Sequence, residues 1–200
     1  MWVLFAVYLL TELQNRTILF NVNKCYENER TKMHNKTEKI VLTALMASLV
    51  CVATMIIKIP SPLNGYINLG DGIVLVCGWI LSPLYGFLAA GIGSALADVI
   101  SGYFVYAPVT FLIKGAMALI AFFVYKWLVK KIGKFASQLI GAILAEILMA
   151  LGYFVYEGVL YGFAPSLTNM PANAIQGAAG LVIGIILIKI FEKTRINLIK

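Results

Sequence analysis

The chain has 200 residues, of which 61% are hydrophobic and 12% charged, with a mean hydropathy of +0.89. A soluble domain carries ~45 to 50% apolar and ~25% charged residues, so that class is excluded. The net charge of +7 sits in basic clusters flanking apolar segments, which is a topology signal pointing to a lipid bilayer and not to nucleic acid.

Long apolar runs without two-residue alternation predict helices and not a barrel, since either must satisfy its backbone groups internally in lipid. The expected fold class is an all-α integral membrane protein with six transmembrane helices. Residues 1–38 open with Trp2–Leu10, nine apolar residues against the ~20 a span needs. No basic residue precedes them and no small-residue cleavage site follows, so this is not a signal peptide. Residues 1–38 read as a disordered polar segment, with Met33 as the natural start and 1–32 as upstream sequence. His34, the single histidine, lies in it. Cys25, Cys51 and Cys77 show no paired spacing, and the last two read as small core residues.

The membrane domain is assigned to residues 39–193. Its first span, about Ile40–Ile57, carries Ala44, Ala47, Ser48 and Cys51 on one face, suited to close packing within the bundle or against an outside partner. Pro60, Pro62 and Gly65 end it and open a loop, Ser61–Gly70, bearing Asn64, Tyr66 and Asn68. Asp71 begins the next helix, where unpaired N–H groups favour an aspartate.

Between Asp71 and Lys126 the formal charges are Asp98 and Lys114 alone. Ser82, Pro83 and Gly86 interrupt the apolar stretch and divide it into spans 72–82 and 84–100. That division places Lys126, Lys130, Lys131 and Lys134 on the same side as the basic residues near both termini. Six spans with cytoplasmic N and C termini result. The second is short and must be tucked in, tilted or shielded by protein. An outer turn Ser101–Ala107 follows, then spans Pro108–Tyr125 and Ala136–Val159, an outer loop Leu160–Met170, a span Pro171–Phe191, and a basic cytoplasmic tail, 194–200.

An ionisable side chain inside a span costs at least ~2.5 to 3.5 kcal/mol, so Asp98 and Lys114 need compensation. A mutual ion pair, a polar cavity or a bound solute would each supply it. The topology places Asn68, Asp71, Asp98, Thr110, Lys114, Tyr153, Glu157, Asn169, Asn173 and Gln176 in the outer half of the bilayer. Their shared depth predicts an outward-facing polar pocket. Tyr66, Trp79, Tyr103, Tyr106, Tyr153 and Tyr156 are candidate walls, although each would also suit the interfacial aromatic belt. Neutral amides and tyrosines outnumber charges, which suits a small planar solute better than a bare ion. Glu146 lies in the inner half with no assigned role. The sequence has no GxxxxGK[ST] loop, HExxH or Cys-x-x-Cys, so neither ATPase, metal nor cofactor is expected.

"GYINLGDG" (65–72), "SPLYGFLAAGIGSALADVISGY" (82–103), "YAPVTFLIKG" (106–115) and "PANAIQGAAG" (171–180) resemble the substrate-binding S components of energy-coupling factor (ECF) vitamin transporters, in the riboflavin-, hydroxymethylpyrimidine- or pyridoxine-type branch. The resemblance implies a multi-pass cell-membrane protein that captures a vitamin or precursor from outside for ATP-driven uptake. It implies partners too: a transmembrane coupling subunit and two ATPases, contacted through Ala44, Ala47 and Ser48. Family alanines four apart become Ala44 and Ser48 here. Carried onto this sequence, the family's site implies Asn68, Lys114, Tyr153, Glu157, Asn173 and Gln176 as substrate-binding. Asp71, Asp98, Tyr103 and Tyr106 take structural or secondary places. The alternative is a stand-alone ion- or proton-coupled carrier using Asp98 and Lys114. An intramembrane enzyme is disfavoured because no nucleophile–base set is visible.

Overall fold

A computed structural model describes residues 36–56, 58–60 and 66–193. Met33, the segments 1–32 and 194–200, and Asn64 therefore lie outside the described residues. The chain falls into two compact units, Met1–Val41 and Leu42–Lys200. Of the first, the described part is the opening of a helix; the fold below is that of the second.

Among the described residues, six helices and one short antiparallel strand pair follow in order: α1 Lys36–Ile56, β1 Lys58–Pro60, β2 Tyr66–Asn68, α2 Asp71–Ile80, α3 Pro83–Ile100, α4 Ala107–Ile132, α5 Lys134–Tyr161 and α6 Phe163–Lys193. Five are long and apolar enough to cross a membrane, and α2 is the short one. The division at Ser82–Pro83 is where the sequence places it. Pro83 opens α3, where its missing N–H costs nothing.

The 10-residue α2 is shielded by protein. It packs against α3, α4 and α6, and all its residues except Ile73 and Trp79 are buried. A helix surrounded in this way need not match the bilayer thickness. Its neighbours do that: Leu112, Phe123, Leu144, Val155, Val182 and Ile186 are large apolar side chains exposed on the long helices, as a lipid-facing surface requires.

Close approach around α2 depends on glycine. A Cβ on Gly78 would lie 2.4 Å from the Ala118 carbonyl oxygen of α4, and one on Gly72 would lie 2.5 Å from Ile183 Cγ2 of α6. Small residues do the same between α1 and α3, where a Cβ on Gly93 would lie 2.4 Å from the Ala47 carbonyl. Such contacts let dispersion and weak polar forces hold helices together when lipid is as apolar as their side chains.

Two expectations are corrected. The loop assigned to Leu160–Met170 is instead helical: α5 runs to Tyr161, Gly162 turns the chain at φ +94°, and α6 begins at Phe163. Pro171 lies inside α6 and does not open it. The extra turns are held to α5 by side chains, Ser166 Oγ donating to the Phe154 carbonyl at 2.8 Å. The loop after α1 also contains structure, an antiparallel pair with Lys58 opposite Asn68 and Pro60 opposite Tyr66.

Gly78→Ala should lower the thermal midpoint of the detergent-purified protein, by about 1–3 kcal/mol of overpacking. Gly141→Ala, whose added Cβ meets its nearest neighbour at an ordinary 3.5 Å, should leave the midpoint within error.

Candidate solute-binding site

Helix connectivity brings together the C-terminal ends of α1, α3 and α5, the N-terminal ends of α2, α4 and α6, and strand β2. The exposed lysines Lys126, Lys130, Lys131, Lys134 and Lys189 lie towards the other ends of these helices. Between the first set of ends lies a cavity with about 500 Å³ of empty space, counting the part open to solvent.

The floor is an ion pair. Lys114 Nζ of α4 donates to Asp71 Oδ1 of α2, and both side chains are almost fully buried. Gln176 Nε2 of α6 donates to Asp71 Oδ2 at 2.7 Å, while its Oε1 accepts the Asn68 backbone N–H at 3.0 Å. Asn68 Oδ1 in turn accepts the Gly70 N–H at 3.0 Å. Three helices, α2, α4 and α6, thus meet at one carboxylate, and β2 joins them through Gln176. Asp71 is not the capping residue that its position suggested, since the start of α2 has no side-chain cap. Nor does Lys114 pair with Asp98.

Asp98 Oδ1 accepts the Tyr66 hydroxyl at 2.6 Å, and the Tyr66 and Tyr103 rings meet at 4.8 Å between centroids. Burial, then the Asp98 charge, pushes the Tyr66 phenol above its ordinary value, so it remains a donor at any physiological pH. Across the cavity, Glu157 Oε1 accepts Asn169 Nδ2 at 2.7 Å and the Tyr106 hydroxyl at 3.4 Å. Thr110 Oγ1 and the Tyr153 hydroxyl are 3.0 Å apart, and Lys114 Nζ sits 5.7 Å from the Tyr153 ring centre.

Asn68, Lys114, Tyr153, Glu157, Asn173 and Gln176 all line this cavity, as do Asp98, Tyr103 and Tyr106. Asp71 holds the floor from beneath. Trp79 and Tyr156 are not walls. Trp79 packs against the apolar core, and Tyr156 donates to the Val105 carbonyl while its ring meets Tyr106 edge-on. Thr54, Ile67 and Ser94 also line the cavity. Sequence reasoning missed them because one hydroxyl in an apolar helix is cheap and marks nothing; the i, i+4 relation of Ser94 to Asp98 was the available signal.

Among the described residues, six buried polar atoms belong to cavity-lining side chains and have no hydrogen-bond partner: Thr54 Oγ1, Ser94 Oγ, Asp98 Oδ2, Glu157 Oε2, Asn169 Oδ1 and Asn173 Nδ2. Buried polar groups are satisfied as a rule, so this concentration marks a surface shaped for a hydrogen-bonding solute.

A model of the S component of the ECF-type riboflavin transporter matches residues 34–193. The chain belongs to this family of S components. Thiamine precursor transporter HmpT of Lactococcus lactis subsp. cremoris is 24% identical over 168 residues, covering 82% of this S component and 94% of the relative. An uncharacterized protein of Pyrococcus woesei is 38% identical over 136 residues, covering 68% and 88%. A solved S component of a bacterial ECF transporter shares the fold at TM-score 0.66 and 22% identity, over 80% of this chain and 98% of that one. The protein is therefore a multi-pass membrane subunit of an ECF-type importer.

Its α1 face is divided. Ala44 and Ser48 are exposed, whereas Ala47 and Cys51 are buried. Ala47 packs against α3 at Gly93, which corrects its assignment to a partner-contact face.

Lys114→Met should cost about 3–5 kcal/mol, because it strands the buried Asp71 carboxylate. Adding Asp71→Asn should recover most of that loss in thermal unfolding, and adding Asp98→Asn should not.

Proposed function

We propose that this S component captures a small, planar vitamin or precursor of the riboflavin, pyridoxine or hydroxymethylpyrimidine class in the cavity above the Lys114–Asp71 pair. The observation that carries this is the set of six partnerless polar atoms gathered on one cavity with tyrosine at its walls. Planar rings stack on tyrosine, and polar ring edges take up buried donors and acceptors. The thiamine precursor named for HmpT falls within this class.

The cavity faces the outside and both termini the cytoplasm in this reading. Support comes from the clustering of lysines at the helix ends remote from the cavity, which the positive-inside rule assigns to the cytoplasm. Transport is driven by a transmembrane coupling subunit and two ATPases, with Ala44 and Ser48 forming the patch of α1 on which the coupling subunit closes. Substrate-binding roles go to Asn68, Lys114, Tyr153, Glu157, Asn173 and Gln176, and the subunit has no catalytic role of its own.

Purified protein should bind a vitamin-class solute without ATP, detected by native mass spectrometry and calorimetry. In proteoliposomes lacking the ATPases it should accumulate none. Accumulation driven by an ion or proton gradient would instead establish the stand-alone carrier. Ala44→Leu with Ser48→Leu should leave solute affinity unchanged and reduce recovery of the assembled transporter at least about 10-fold; normal assembly and uptake would remove this patch from the interface.

A further inference from the structure

The helix ends remote from the cavity carry a charge for which solute capture has no use. Lys126, Lys130, Lys131 and Lys134 fall within nine residues, and no acidic residue stands between Asp98 and Glu146 to offset them. All four are exposed. The turn at Gly133, φ +82°, sets Lys130 and Lys131 of the last turn of α4 beside Lys134, the first residue of α5. Lys189 of α6 joins them, its Nζ 4.7 Å from the ring centre of Phe135. On α4, α5 and α6 the acidic side chain at this end is Glu192, which accepts Gln138 Nε2 at 3.3 Å and is followed by Lys193. A topology signal requires only that lysines lie on one side; here three helices bring them round a single turn.

The ring contacts give these charges a depth. Lys131 Nζ lies 4.6 Å from the Trp127 ring centre, and Lys126 Nζ 5.7 Å from that of Phe122. Trp127 and Phe135 are 69% and 52% exposed, and with Phe123, Ile132 and Ile140 they continue the apolar surface that the long helices turn to lipid. An exposed tryptophan at the end of a span settles at the headgroup level, and a lysine stem lies along apolar surface with its charge at that level. The ammonium groups folded onto these rings therefore sit at the depth of lipid phosphates. A soluble acidic partner would have to cover rings and aliphatic side chains that acyl chains already cover.

We propose that the α4–α5 turn, with the adjoining end of α6, binds the phosphodiester headgroup of an anionic phospholipid in the leaflet on that side. Lys130, Lys131, Lys134 and Lys189 donate to the phosphate, and Trp127 and Phe135 seat the glycerol and the upper acyl region. The site is separate from the solute cavity and from the α1 patch, and it holds whichever solute is carried.

The test is native mass spectrometry of the full-length protein in detergent, equilibrated with equal amounts of phosphatidylglycerol and phosphatidylcholine. Phosphatidylglycerol should be retained at least about 10-fold in excess, and the excess should shrink at about 0.5 M salt, where exposed charges are screened. The variant Lys130→Gln, Lys131→Gln, Lys134→Gln should lower its affinity about 100-fold, at roughly 5-fold per lysine near a membrane surface. These side chains are exposed, so the thermal midpoint should stay at the wild-type value. Comparing the two lipids on wild-type protein needs no variant to fold. Equal retention of both lipids, or an undiminished preference in the folded variant, would overturn the proposal. Inorganic phosphate binding as tightly as phosphatidylglycerol would make this a free-anion site and overturn the lipid assignment. Undiminished lipid retention in the variant together with lost assembly on the coupling subunit would assign the lysines to a protein partner instead.

Discussion

The contact between Lys114 and Asp71 is the constraint around which the membrane domain is arranged. Neither charge is tolerable alone at this depth, and both side chains are nearly inaccessible. The pair forces α2 to sit with its first residue against α4, and Gln176 brings α6 to the same carboxylate. The N-terminal end of α2 adds its own partial positive charge on the Asp71 side. Gly180 makes room for the arrangement, because a Cβ there would lie 2.6 Å from Asp71 Cβ and 2.8 Å from Glu146 Oε1. Glu146 therefore belongs to the same layer, just under the floor of the cavity, although its position along α5 sets it apart from the other polar residues.

A buried pair of this kind adds less to stability than its Coulomb attraction suggests, since two charges must first lose their water. Its value is geometric: it selects one rotation and one depth for α2 out of many that apolar packing alone would accept. Asn68 extends the constraint to the hairpin, because its backbone N–H is held by Gln176 and its side chain holds Gly70. The floor, the hairpin and α6 are thereby joined through a short series of hydrogen bonds.

Above that rigid floor the cavity is polar but incompletely satisfied. Its carboxylates are steered by tyrosine and asparagine, and one oxygen of each is left open. In general a buried polar group left stranded by a wrong solute counts against it as much as a bond made by the right one counts in favour. The outer surface of the bundle serves a different purpose: large apolar side chains meet lipid, and Ala44 and Ser48 interrupt them on α1.

The amino-acid sequence by itself determined the fold class, the number of spans, the shortness of α2 and which costly polar side chains share the outer half of the bundle, because in hydrocarbon every polar side chain is costly and its depth is therefore informative. Asn173 and Gln176, for example, could be assigned to a common site from spacing and depth alone. The partner of Lys114, the inward turn of Ala47, the retreat of Trp79 into the core and the helical path through Pro171 were decided by the tertiary structure. Depth along a helix is written in one dimension, whereas pairing depends on helix rotation. Rotation here follows from which glycines let backbones touch and which buried charges demand each other, and both are properties of neighbours distant in the chain.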